Sequence, residues 1–150
     1  MRFLSAIELA LFSVLLTPST ACLATSCTSD LRAYDVEVKR DLAISFAEAT
    51  KLSFEACVGS GSSSRCQTVQ VVAGMLGTGQ YDLVQGTVSE LASGNARIEA
   101  KIQVFDGNTS SPTLVSLRAA DSSGVRILEI TGQVRWEDEA CHPKPLDRSI

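Results

Sequence analysis

Few residues in this chain could break or form a bond. His142 is the only histidine, and it stands directly after Cys141. Adjacent side chains on an extended segment point to opposite sides, so the two do not form a nucleophile–base pair. Neither a convincing carboxylate pair nor a phosphate-binding loop accompanies them, and the expectation is a protein that is not an enzyme and has no cofactor. The five cysteines are Cys22, Cys27, Cys57, Cys66 and Cys141. They contain no Cys-x-x-Cys spacing, which argues against a metal site. Oxidative pairing is the chemistry they suit. Cys57 and Cys66 flank the loop-like stretch Val58 to Arg65, and a bond between them would leave Cys27 and Cys141 to tie the two ends. Four cysteines permit three pairings, and spacing does not choose among them.

The other chemistry on offer is non-covalent docking. Gln70-Val71-Val72-Ala73-Gly74 combines small, stiff and apolar residues with a glycine able to turn the chain. Such a loop tip loses little rotamer freedom on entering a cleft. The motif resembles the inhibitory-loop signature of the cystatins. Leu42-Ala43-Ile44-Ser45-Phe46-Ala47 is similar to the leucine-alanine-x-phenylalanine-alanine stretch of the plant-type cystatin helix, with one extra residue. Glu99-Ala100-Lys101-Ile102 resembles the family's Glu-Ala-Lys-Val strand, and Leu114 to Leu117 falls where its last strand belongs.

This resemblance covers roughly residues 31–118 and implies a reversible inhibitor of papain-like cysteine proteases. Gln70 to Gly74 would be the main wedge, and the second loop would fall at Gly107 and Asn108. Those two stand where the family carries Pro-Trp, and no glycine precedes Gly59, so two of the family's features are missing. Asn108-Thr109-Ser110 is also an N-glycosylation sequon, which would place a glycan on that second loop.

Elements must position the wedge. Leu31, Tyr34, Val38, Leu42, Phe46 and Ala49 follow one another at helical spacing, which predicts a helix over 31–49. Alternation of Leu42, Ile44 and Phe46 is the competing strand pattern, and Lys39-Arg40-Asp41 interrupts it. Farther on the period is two. Ile98, Ala100, Ile102 and Val104 alternate with Arg97, Glu99, Lys101 and Gln103, a half-buried antiparallel strand. Segments 81–90, 113–119 and 124–136 are further strands, with turns at Asp121-Ser122-Ser123 and Asp106-Gly107-Asn108. Ser60 to Ser64 reads as a flexible loop. One helix followed by antiparallel strands gives an α+β class, and the resemblance sharpens it to a cystatin-like antiparallel sheet wrapped on one long N-terminal helix.

The N-terminus reads as a secretory signal. Arg2, an apolar run from Leu9 to Leu16 and small residues up to Ala24 are its parts. The expected organisation is a signal peptide at 1–24 and a single domain at 25–150, with 119–150 as a C-terminal extension. The run is shorter than the roughly 20 apolar residues a membrane span needs. Cleavage after Ala21 would instead leave Cys22 at the N-terminus, open to acylation. Tyr81-Asp82-Leu83-Val84-Gln85-Gly86-Thr87-Val88 is similar to the strand entry of small bacterial envelope lipoproteins, which gives the alternative of a periplasmic or lipid-anchored module. A non-inhibitory binding module of the cystatin fold is another. The formal charge is −4, with 13 basic and 17 acidic residues among 150. Its basic residues are not clustered, so nucleic acid is not expected as a partner. A secreted, extracellular monomer facing a cysteine protease is the leading expectation.

Overall fold

The computed structural model describes residues 32–60, 63–105, 112–137 and 144–150. The chain runs through β1 (Ala33–Ser45), α1 (Phe46–Ala49), β2 (Ser53–Ser60), β3 (Ser63–Val72), β4 (Met75–Leu76), β5 (Val84–Glu90), β6 (Asn95–Phe105), β7 (Thr113–Ala120) and β8 (Arg126–Val134). All pairs of neighbouring strands are antiparallel. The order across the sheet is β1-β6-β5-β4-β3-β2-β7-β8, an eight-stranded sheet curled almost into a barrel.

This architecture corrects the α+β expectation. The predicted helix over 31–49 is instead β1 followed by the short α1. β1 runs in register with β6 from Ala33↔Phe105 to Leu42↔Ala96. The physical reason lies in Val36. It is fully buried, as are Val38 and Leu42 on the same face, and the helical pattern had no place for it. A strand lets Tyr34, Val36, Val38 and Leu42 all point inward at a spacing of two, and β6 supplies the partner edge. Tertiary pairing therefore outweighs local helical spacing. The helical tendency survives only in α1, where Ser45 and Glu48 form a capping box: Ser45 Oγ accepts from Glu48 N at 3.2 Å, and Glu48 Oε2 accepts from Ser45 N at 3.0 Å. No helix among the described residues is long and apolar enough to cross a membrane.

The strand patterns at the other end of the chain match the sheet. Ala96, Ile98, Ala100, Ile102 and Val104 of β6 face the core, with their charged neighbours outward. Phe54 and Ala56 of β2, Leu76 of β4, Val84 and Val88 of β5, Val115, Leu117 and Ala119 of β7, and Ile130 and Val134 of β8 are among the residues that join them. Asp121 makes the β7–β8 turn by accepting from Ser123 N at 2.8 Å and Val125 N at 2.9 Å. The stretch from about 119, expected as an extension, supplies the end of β7, all of β8 and a tail laid against the barrel. At that end the ring of Tyr34 meets Trp136 edge-on at 6.0 Å, and Trp136 Nε1 donates to the buried Thr113 Oγ1 at 2.9 Å.

The expected loop at Ser60 to Ser64 is corrected at its edges: β2–β3 pairing continues through Gly59↔Ser64 and Ser60↔Ser63, so Ser60, Ser63 and Ser64 are strand residues, while Gly61 and Ser62 lie outside the described residues.

Candidate functional site

Gln70 to Gly74 forms one side and the turn of the β3–β4 hairpin. Val71 pairs with Leu76 and Val72 with Met75, leaving Ala73 and Gly74 as the turn. Both turn residues have positive φ, 51° and 78°. Positive φ at both central positions is the mark of a type I′ turn, whose twist suits a hairpin. Gly74 adopts such a φ without penalty, whereas Ala73 does so at a cost of about 1–2 kcal/mol. Gly74 O accepts from Val88 N at 2.8 Å, which fastens the turn to β5.

The five residues divide by direction. Gln70 pairs with Ser53 of β2 and is exposed. Val71 is half-buried and packs against the core, so it anchors the hairpin. Val72 is 62% exposed and Ala73 is exposed beside it. Sequence reading placed both valines at the tip. The pleat admits only one of them to the outer face.

Met75 is the residue that reading missed. It is 45% exposed and stands opposite Val72. The signal was available: a two-residue turn makes the flanking positions cross-strand partners, so Met75 must share the face of Val72. On that face Met75 pairs with Thr87, Thr87 with Glu99, and Glu99 with Lys39. A groove of about 440 Å³ follows this row and the neighbouring Glu37, Lys101 and Gln85. Lys39 Nζ lies 2.5 Å from Glu99 Oε1. That hydrogen bond, with the lysine charge, holds the Glu99 carboxyl below its ordinary range. The groove is thus charge-balanced beside an apolar tip.

The β4–β5 connection is pinned to β3. Gln67 Nε2 donates to Asp82 Oδ1 at 2.7 Å, Gly79 N donates to Asp82 Oδ2 at 2.6 Å, and Leu83 N donates to Gln67 Oε1. The hairpin is therefore flanked by a fastened loop on its β5 side.

Gly107 and Asn108, expected in a second loop, lie outside the described residues, as do Cys22, Cys27 and Cys141. Cys57 and Cys66 face each other in the β2–β3 register, with Cα atoms 4.1 Å and sulfurs 2.13 Å apart, a disulfide distance. Among the described residues no group of three His, Cys, Asp or Glu side chains could hold a metal ion. Compared with family models, curated proteins and solved structures, the chain matches none.

Proposed function

We propose that this chain is a secreted, non-catalytic binding module that inserts its β3–β4 hairpin tip into the cleft of a partner protein. The partner class to which the Gln-Val-Val-Ala-Gly motif points is a papain-like cysteine protease. The observation that carries the reading is Ala73 at φ 51° beside Val72 at 62% exposure. Asn, Asp or Gly in this turn position would cost the fold less. Strain of this kind, held at an exposed turn residue, points to function there. An alanine keeps the tip small and apolar where a polar side chain would have to be desolvated on docking.

The reading rests on the hairpin and not on a helix-wrapped sheet, which the described residues do not form. Full burial of Val72 or Met75 against a partner contributes about 1.5–3 kcal/mol each. The turn is fixed to β5 and Val72 is stiff at χ1, so docking orders little that is not already ordered. With no nucleophile or electrophile at the tip, inhibition is reversible and competes with substrate. Titrating papain activity with the folded chain, beside its Val72→Asp variant, tests the reading.

A further inference from the structure

β1 and β8 are the two ends of the strand order, and no ladder joins them among the described residues. One half of the seam between them is filled by the segment 144–150. Glu37 N donates to Arg148 O at 2.7 Å and Ile150 N donates to Glu37 O at 3.1 Å, making a parallel bridge to β1. Leu146 N donates to Arg135 O at 2.8 Å, and Trp136 bridges Pro145 in antiparallel fashion just beyond β8. The segment lies along both edges through two isolated bridges, parallel to β1 at Ser149 and antiparallel, at Pro145, to Trp136 just past β8. It seats an apolar side chain, Ile150, over Gly132 of β8.

Among the described residues nothing pairs with the backbone edges of the other half of the seam. Glu37 turns its N–H and C=O into the seam, so Lys39 and Asp41 of the same strand do likewise. Arg135 turns its carbonyl toward the tail, and by the same alternation Thr131 and Glu129 face the seam. No backbone hydrogen bond occupies these groups on that side among the described residues. Charged side chains commonly guard such an edge. Here Lys39 is drawn to Glu99 and Asp41 to Arg97, at 2.5 Å in each case, and both partners belong to β6, on the side away from the seam. Toward its far end the seam reaches a pocket of about 410 Å³ walled by Ile44, Leu52 and Ile127, with Glu48 and Lys51 at its rim.

The geometry points to this open half-seam as a strand-addition groove for an extended peptide of about five residues, at roughly 3.3 Å per residue. The peptide continues the line of 144–150, parallel to β1 and antiparallel to β8. Its alternate residues are apolar, and one of them enters the pocket at Ile44, Leu52 and Ile127. The occupied half supplies the precedent, a tail that bridges β1 in the same direction and turns an isoleucine onto Gly132 of β8. This site is separate from the hairpin: β4 lies three strands from β1, and β3 three from β8, in the sheet order.

The test is a titration of the folded chain with acetyl-Thr-Ile-Thr-Ile-Thr-amide, followed by backbone amide NMR. The expected result is saturable shifts at Lys39, Asp41, Thr131 and Glu129, with at least tenfold slower hydrogen exchange at those amides. The same peptide N-methylated at both isoleucines loses binding at least tenfold, because the methyl groups block strand pairing. Ile127→Lys weakens binding by a similar factor, and the variant stays folded because Ile127 is already 37% exposed. Three results overturn the proposal: no shift at millimolar peptide, equal binding of the N-methylated peptide, or shifts confined to Glu37, Arg148 and Ile150. The last would mean that the peptide displaces the tail instead of extending it.

Discussion

Ile150 occupies the space that a side chain on Gly132 would need. A Cβ on Gly132 would stand 2.2 Å from Ile150 Cγ2 and 2.7 Å from its Cβ. The glycine of β8 is therefore a seat for the tail, and the tail closes half of the seam between the two terminal strands of the sheet. Gly132→Val fills the seat and expels Ile150. The expected loss is about 1–3 kcal/mol, read from urea unfolding midpoints. Amide protection at Ile150 and Leu146 falls while β6 keeps its own. A variant whose tail amides remain protected would show that Ile150 is held by something other than this seat.

The tail is also held by charge. Arg135 Nε donates to Asp147 Oδ2 at 3.0 Å, and this hydrogen bond with the guanidinium charge holds the Asp147 carboxyl below its ordinary value of 3.8. A depressed folded value means the stabilisation is fully present above the unfolded pKa. It is lost as pH falls through the folded one. The pair is on the surface and screened by salt, so the effect is small. Protection factors at Leu146 and Ile150, corrected for intrinsic exchange, are expected to decline below about pH 4 relative to those of Asp147→Asn. Equal profiles for the two proteins would remove the ion pair from the account.

The turn of the hairpin gives an independent stability test. Ala73 holds a left-handed conformation that asparagine adopts more readily, and Asn-Gly is the preferred type I′ pair. Ala73→Asn is expected to stabilise the fold by about 1 kcal/mol, seen as a higher urea midpoint at unchanged slope. The same substitution places a polar amide at the tip, so it should weaken any docking that depends on a small apolar end. A stabilised variant that binds a partner as well as the parent does would separate the tip from the function.

How much of this was legible in the chain differs from element to element. β6 was plain because its apolar and polar residues alternate without a break from Ala96 to Val104. β1 was not, because Arg40 sits at the inward parity between Val38 and Leu42 and breaks the alternation. The remaining apolar residues then fall at helical spacing by coincidence. Only β6, more than fifty positions later, shows which period is used. The closing of the sheet was hidden for a similar reason: nothing local in 144–150 announces that it lies along Glu37. The hairpin was half legible. Gly74 marks a turn, but the inward face of Val71 and the outward face of Met75 depend on which strand positions pair.

The most direct measurement is a set of inhibition constants for the folded chain against several papain-type proteases, with circular dichroism confirming the fold of each variant. Reversible, competitive inhibition at or below micromolar concentration is the expected result. Val72→Asp should weaken it at least a hundredfold, since an unpaired carboxylate buried in a closing interface costs several kcal/mol. Gly74→Trp should weaken it comparably, because the φ of 78° disfavours any side chain and a Cβ there would stand 3.3 Å from the Val88 carbonyl oxygen. A folded wild-type chain that leaves every such protease fully active at tens of micromolar (roughly −6 kcal/mol of binding) would contradict the account.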